Sequence, residues 1–374
     1  MTFSNVSFGD VTDNFDKKRI PLSAAQREKR QGKYRYYGAQ GVIDLVDDYI
    51  FDGTYLLIAE DGENLKSKKS NIAQLASGKF WVNNHAHVIQ CKKGYDIRYL
   101  CYLINLTDLS GYITGSAQPK LSQSSMNAIV LPMPKFEIQK EVADFIEKFD
   151  KKIQINEKVN DNLQQQAFAA FDNLVANAEN TDCNVSDYAF LNPKRALAKN
   201  QMARSIDMSR LSTSRAFPSG WEMKPFAGGM RFTNGDTLLA RITPCLENGK
   251  TAFIDFLDDG EVAFGSTEYI VLAPKNDTPP EMLYCLARNP AFIDYAVKNM
   301  NGSSGRQRVS AETVGQYRLP LFDKHSLSIF REVVSPMFLK MRYNFLENMR
   351  LAELRDELLP KLMSGEIGVS NIRL

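Results

Sequence analysis

The chain has little of what marks a membrane protein, a disulfide scaffold or a metalloenzyme. No stretch approaches 18 uninterrupted apolar residues, and residues 1–18 mix polar, acidic and basic side chains, so neither a membrane span nor a signal segment is expected and a cytoplasmic location is. The five cysteines, Cys91, Cys101, Cys183, Cys245 and Cys285, are dispersed, odd in number and never spaced as CxxC. That argues against a disulfide framework and a structural zinc. Histidine is scarcer still. His85 and His87 would share one face of a strand, His325 stands alone, and with no third ligand in sight no metal is expected. No serine, cysteine and histidine arrangement suggests nucleophilic catalysis. Net charge is only +2, from 46 basic and 44 acidic residues, which is too small to demand a nucleic-acid partner.

At 374 residues the chain exceeds the usual size of one core, so two or more domains are expected. Its 44% hydrophobic and 24% charged content is that of a folded protein. The distribution of charge says more than the sum. Residues 17–35 hold eight basic side chains against Glu28 alone, and residues 194–215 hold six against Asp207. Residues 44–63 carry seven acids and no base. Either basic run alone reads as a solvated loop; two at equivalent places in a repeat point toward phosphate contacts.

The repeat comes from comparing the chain with itself. Asn5-Val6-Ser7 recurs as Asn184-Val185-Ser186, Leu56-Leu57 as Leu238-Leu239, and Val88-Ile89 as Ile270-Val271. Leu100 and Leu103 recur as Leu283 and Leu286, and Ser122 with Leu131-Pro132 as Ser310 with Leu319-Pro320. The offset grows from 179 to 188 residues, as small insertions require. It aligns the Gly-Ser-led loop 115–122 with the loop 302–310, both carrying basic and amide side chains.

After each Leu-Pro comes a helical pattern. Ile138, Val142, Phe145, Phe149, Ile153, Val159, Leu163, Ala170 and Leu174 fall mostly three, four or seven apart, and Phe330, Val333, Met337, Met341, Leu351, Leu358 and Leu362 repeat the stripe. Two paired helices of this kind would each run about 55 Å at ~1.5 Å per residue. Strand-like runs at 55–59, 81–90, 251–256 and 269–273, with Asp61-Gly62 and Asp259-Gly260 as turns, fill the rest. The expected class is α+β. Two similar mixed α/β domains at 1–134 and 183–322 alternate with coiled-coil-like helices at 135–178 and 323–366, in a pseudo-two-fold repeat that breaks near residues 177–182.

Three groups of residues carry a family resemblance. Tyr36-Tyr37-Gly38-Ala39-Gln40-Gly41-Val42-Ile43-Asp44 followed by residues 51–62, the second-half segment Asn234-Gly235-Asp236-Thr237-Leu238-Leu239-Ala240-Arg241-Ile242, and the closing Leu358-Leu359-Pro360-Lys361-Leu362-Met363-Ser364-Gly365-Glu366-Ile367 resemble the specificity subunits of type I restriction-modification systems. The resemblance covers essentially the whole chain in the family's order of recognition domain, helix, recognition domain, helix. It implies a non-catalytic DNA-recognition subunit that binds double-stranded DNA, two methyltransferase subunits and, through the complex, the restriction translocase subunits, with no cofactor in this chain. Each target recognition domain would read one half of an asymmetric bipartite site, and the helices would set the spacing. Independently, two similar domains on a two-helix spacer suit half-sites about 34 Å, one DNA turn, apart.

Enzyme-like fragments have plainer readings. Asn289-Pro290-Ala291-Phe292 is similar to an amino-methyltransferase signature but lacks the second proline and a glycine-rich cofactor loop, and reads as a junction between helices. Gly249-Lys250-Thr251 has Pro244 where a phosphate loop needs glycine, and reads as a turn entering a strand. Asn83, Asn84 and His85 either reach bases or a phosphate or form a structural turn. The candidate DNA contacts are Lys33, Tyr36 and Tyr37, then Gln118 and Lys120, and in the second half Arg231, Arg241, Arg306, Gln307 and Arg308. Arg and Gln rank as base readers because they offer paired hydrogen bonds to guanine and adenine edges. A fused methyltransferase or nuclease would need a cofactor or metal motif, and a protein-binding scaffold would lack sequence-selective DNA binding.

Overall fold

The computed structural model describes residues 2–115, 118–179, 183–303 and 305–372. Ser116, Ala117 and Ser304 of the two Gly-Ser loops, and residues 180–182 at the expected break, lie outside the described residues. The chain divides into one unit of Met1–Asp150 with Glu353–Leu374 and a second of Lys151–Ala352.

The strands of the first unit are β1 (Ser4–Ser7), β2 (Thr12–Asn14), β3 (Gln31–Gly38), β4 (Gly41–Val46), β5 (Phe51–Ala59), β6 (Ala73–Val82), β7 (Ala86–Cys91) and β8 (Val130–Met133). Six of them form a sheet in the order β2-β7-β5-β6-β3-β4, antiparallel except for the parallel pair β3 and β6. β5 sits inside it because Leu56, Leu57 and Ile58 are buried and aliphatic. The helix Ile97–Leu106 packs on β5 and β6, while Tyr37, Phe51, Tyr55, Leu57, Phe80 and Val88 form one apolar cluster. The run expected as a single strand over 81–90 is two strands, because the Asn83 side chain accepts the His85 N–H at 2.8 Å and closes a turn.

The second unit contributes β9 (Cys183–Asn184), β10 (Ala189–Leu191), β11 (Met202–Ile206), β12 (Glu222–Pro225), β13 (Arg231–Phe232), β14 (Thr237–Ala240), β15 (Thr251–Phe253), β16 (Ala263–Gly265), β17 (Tyr269–Pro274) and β18 (Arg318–Leu319). Its sheets run β10-β17-β14-β15 and β12-β11-β16-β13. The first unit's sheet is recognisable in them. β10, β17 and β14 take the places of β2, β7 and β5, while β11 and β12 take those of β3 and β4. The ten-residue β6, which pairs with both β5 and β3, is replaced by β15 on β14 and β16 parallel to β11. Residues 254–262, with the Asp259-Gly260 turn, separate the two and split one sheet into two.

The duplication reaches individual pairings. Leu56 faces Ile89 and Leu57 faces Val88; Leu238 faces Val271 and Leu239 faces Ile270. Ser122 and Ser310 each cap a five-residue helix, their hydroxyls accepting the N–H groups of Ser125 at 3.1 Å and Thr313 at 2.9 Å. The long helices Phe136–Ala176 and Lys324–Ser364 are 41 residues each. Asn289 ends one helix and caps the next through the N–H groups of Ala291 and Phe292, as the helix-junction reading requires.

In the second unit the long helices pair antiparallel, since Asn156 bonds Glu347 and Asn348 whereas Asn160 bonds Met341 and Asn344. The buried stripe departs from the expected one. Val159 and Val333 are exposed, while Val334, Phe338, Asn156 and Asn344 are buried. At 3.6 residues per turn the buried face drifts off a strict seven-residue spacing, and the core of the second unit draws in Ala167, Phe171, Phe330, Val334 and Phe338. Phe338 meets Phe253 at 5.0 Å and Tyr284 at 5.6 Å, both edge-on. Phe338→Ala should cost about 3–5 kcal/mol, read as a lower urea midpoint for the full chain with unchanged slope.

Candidate nucleic-acid interface

The charge runs that are separate in sequence are joined by the fold. Arg19 bonds Glu60 at 2.8 Å, Arg27 bonds Asp44 at 2.9 Å and Arg30 bonds Asp47 at 2.9 Å. The hairpin of β3 and β4 brings the acidic segment alongside the basic one, so much of the expected positive field is neutralised locally. Arg27 and Arg30 also lie over the rings of Tyr36 and Trp81, at 5.2 and 4.8 Å from their centroids.

This placement changes the roles open to the first three candidates. Tyr36 is fully buried, its hydroxyl accepting the Leu22 N–H at 2.8 Å, and Tyr37 packs edge-on against Phe80 at 5.6 Å. Both rings are core, because alternate residues of a strand in the sheet must cover one face or the other. Neither ring is offered to a ligand in this conformation. Lys33 is exposed, its ammonium 5.4 Å from the Tyr34 ring centroid.

The other candidates fall largely on one hydrogen-bonded frame, built twice. In the first unit the Glu60 N–H donates to the His85 carbonyl at 2.9 Å, and the Glu60 carbonyl accepts the Leu121 N–H at 2.8 Å. In the second, the Arg241 N–H donates to the Glu268 carbonyl and the Arg241 carbonyl accepts the Val309 N–H, both at 3.0 Å. Lys120 bridges Thr114 and Asp61 in one; Arg308 bridges Asn301 and Ile242 in the other. Lys120 and Arg308 are therefore equivalent, as are Glu60 and Arg241, and His85 and Glu268.

The side chains on the frame differ. Lys120 pairs with Glu60 at 3.2 Å. Arg308 grips Glu268 through Nε and Nη2, at 2.7–3.0 Å, and its Nη1 donates to the Arg306 carbonyl at 2.9 Å. The hydrogen bonds that Arg308 donates to Glu268, with the guanidinium charge, hold the Glu268 carboxyl below its usual range. Arg241 is half-buried, with its Nε lacking a hydrogen-bond partner. Gln307 is half-buried and its carbonyl accepts the Thr243 N–H at 3.0 Å, while Gln118 and Arg306 are exposed. Arg231 stands apart from this frame on β13, 5.7 Å from the Phe226 ring centroid. Glu60, Asp61 and Glu268 were not among the candidates. Lys120 and Arg308, partners of Glu60 and Glu268, were, through the alignment of the Gly-Ser loops, but a strand-end carboxylate gives no sequence signal until its partner is placed.

The two expected strand-face histidines have separate partners. His85 contacts Asp61 at 2.8 Å at the surface, while buried His87 contacts Asp16 at 2.6 Å and the Leu121 carbonyl at 2.8 Å. Asp16, Glu60 and His87 place donor atoms within 4.8 Å of one another, a spacing that could hold a metal. Arg19 reaches both carboxylates and Lys120 reaches Glu60, so cationic side chains already supply the balancing charge. Both His87 ring nitrogens face oxygens, and the group is best described as an ion network.

The family model for the type I restriction modification DNA specificity domain matches residues 2–165. A type I restriction enzyme specificity subunit of Haemophilus influenzae is 30% identical over 138 residues, 37% of this chain and 35% of its own length, so the match spans about a third of that relative. The HindI specificity subunit of the same organism is 24% identical over 330 residues, covering 67% of this chain and 71% of that one. A crystal structure of a type I restriction-modification S subunit from M. genitalium shares the fold, with a TM-score of 0.59 at 14% identity over 97% of this chain and 96% of that one. A duplicated mixed α/β fold with two long helices is the class so defined. Residues 2–165 match the specificity domain of type I restriction-modification systems, and over two thirds of its length the chain is similar to a specificity subunit of such a system.

The ion network makes a pH prediction. Burial pushes the Asp16 carboxyl up, but hydrogen bonds from His87, Val88 and Asn14 and the His87 charge outweigh it and hold it low. A carboxyl lowered in the folded state contributes stability that is present above its unfolded pKa, near 3.9, and is lost as pH falls through the folded value. Thermal melts should therefore show Asp16→Asn less stable than wild type at pH 7, with the two converging below about pH 4.

Proposed function

We propose that this chain is the non-catalytic DNA-recognition subunit of a type I restriction-modification complex. Target recognition domains at 1–134 and 183–322 each read one half of an asymmetric bipartite site in double-stranded DNA. The helical segments 135–178 and 323–366 set the half-site spacing and dock two methyltransferase subunits, through which the restriction translocase subunits join. The chain itself holds no cofactor; chemistry on the DNA belongs to its partners. The observation that carries this reading is the duplicated frame with unlike side chains, because one backbone geometry bearing different readers is what two different half-sites require.

The exposed apolar side chains Ile329, Val333, Leu339, Tyr343 and Leu346 on the second long helix suit the docking role, since solvent alone leaves them uncovered. Phosphate contacts fix register without reading sequence, a role that fits exposed Lys33 and Arg306.

Single-molecule methylome sequencing of cells expressing the chain with its methyltransferase partner should show adenine methylation at one asymmetric bipartite motif, abolished when the chain is deleted. Methylation indifferent to the deletion would favour a protein-binding scaffold. With the purified complex, Lys33→Ala should weaken binding to cognate and unrelated duplexes alike and lower the slope of log affinity against log salt by about 1.

A further inference from the structure

At one of the matching places the two copies of the hydrogen-bonded frame carry opposite charge. Acidic Glu60 corresponds to basic Arg241, and His85 to acidic Glu268. The one position basic in both is Lys120 in the first unit and Arg308 in the second. A backbone kept constant while a side chain on it reverses sign is poorly explained by stability alone, which asks only that each copy balance its own charges.

Arg308 differs from Lys120 in how it is held. Glu268 takes Nε and one N–H of Nη2, and the Arg306 carbonyl takes one N–H of Nη1. Of the five guanidinium N–H groups, one on each terminal nitrogen remains. The side chain is 38% exposed, with its head group held by Glu268. Two parallel donors on a rigid fork match the paired O6 and N7 acceptors of guanine in the major groove. Lys120, a point charge on a flexible stem beside Glu60, cannot present that fork.

We infer that Arg308 reads a guanine in the half-site of the second domain, with Glu268 as the positioning residue that sets its fork, and that the equivalent place in the first half-site is read differently. This rests on the DNA-recognition reading above. It assigns one base identity to one side chain and gives Glu268 a role beyond local charge balance.

The test uses the full chain in complex with its methyltransferase subunits. Fluorescence anisotropy would compare duplexes carrying the methylome-derived motif with every single-base substitution of it. Wild type should discriminate against replacement of one guanine in one half-site by about 10- to 100-fold. Arg308→Lys and Glu268→Ala should each cut that ratio below about threefold while leaving discrimination at every other position, the first half-site included, unchanged. Arg308→Gln should move the preference at that position toward adenine, the purine that glutamine pairs with.

A merely structural Glu268 would not produce a change confined to one base pair. Uniformly weaker binding with an unaltered motif would make Arg308 a phosphate contact and overturn the inference. So would altered preference in the first half-site, or an assembled Arg308→Lys complex that binds no duplex. If the wild-type complex shows no sequence preference at all, the recognition reading itself fails; if it is selective but indifferent to Arg308 and Glu268, only this inference does.

Discussion

A short antiparallel pairing organises each unit: Leu56-Leu57 against Val88-Ile89 in the first, Leu238-Leu239 against Ile270-Val271 in the second. All eight side chains are buried, so a slip of one residue would turn each of them to the opposite face of its sheet. With this register fixed, the residues just beyond the pairing are fixed too. Glu60 and His85 follow in one unit, and Arg241 and Glu268 in the other, at the place where the Gly-Ser loop returns to donate the N–H of Leu121 or Val309. The candidate readers are held at the end of a rigid element, and their positions derive from aliphatic packing several residues away.

Electrostatics is arranged on top of that packing. The Lys17–Arg19 and Arg27–Arg30 stretches are basic in sequence, yet Arg19, Arg27 and Arg30 fold against Glu60, Asp44 and Asp47. Pairs at the surface contribute little to stability. Their effect here is on the field: the cations left exposed, such as Lys33, stand out against a neutralised background. The same economy of placement appears in the long helices, where Asn156, Asn160 and Asn344 bond across the antiparallel pair in the second unit. Buried amides tolerate few alternative alignments, so they favour one register of the helices over others.

The duplication itself makes divergence legible. Where the two units agree, in strand register, serine caps and helix length, the shared geometry is a requirement of folding. Where they disagree, in the splitting of β6 into β15 and β16 and in the side chains on the hydrogen-bonded frame, the difference marks what each unit can do separately.

Much of this was readable without coordinates. Matching dipeptides at a slowly growing offset revealed the repeat, Ser122 and Ser310 fell at matching places in it, and an unbroken run free of proline and glycine from residue 136 foretold a long helix, because these are local properties of composition and spacing. The alignment of the two Gly-Ser loops already set Lys120 opposite Arg308. What sequence could not decide was which way a side chain faces and what it meets. Tyr36 and Tyr37 were candidate DNA contacts beside a basic run but belong to the core, and Val159 and Val333 fit the helical spacing but lie outside the buried face. Glu268 gained a partner 40 residues away only when two strands paired and a loop closed over them. Periodicity and composition act over a few residues; strand pairing and charge neutralisation join residues tens of positions apart, and only the tertiary structure specifies those partners.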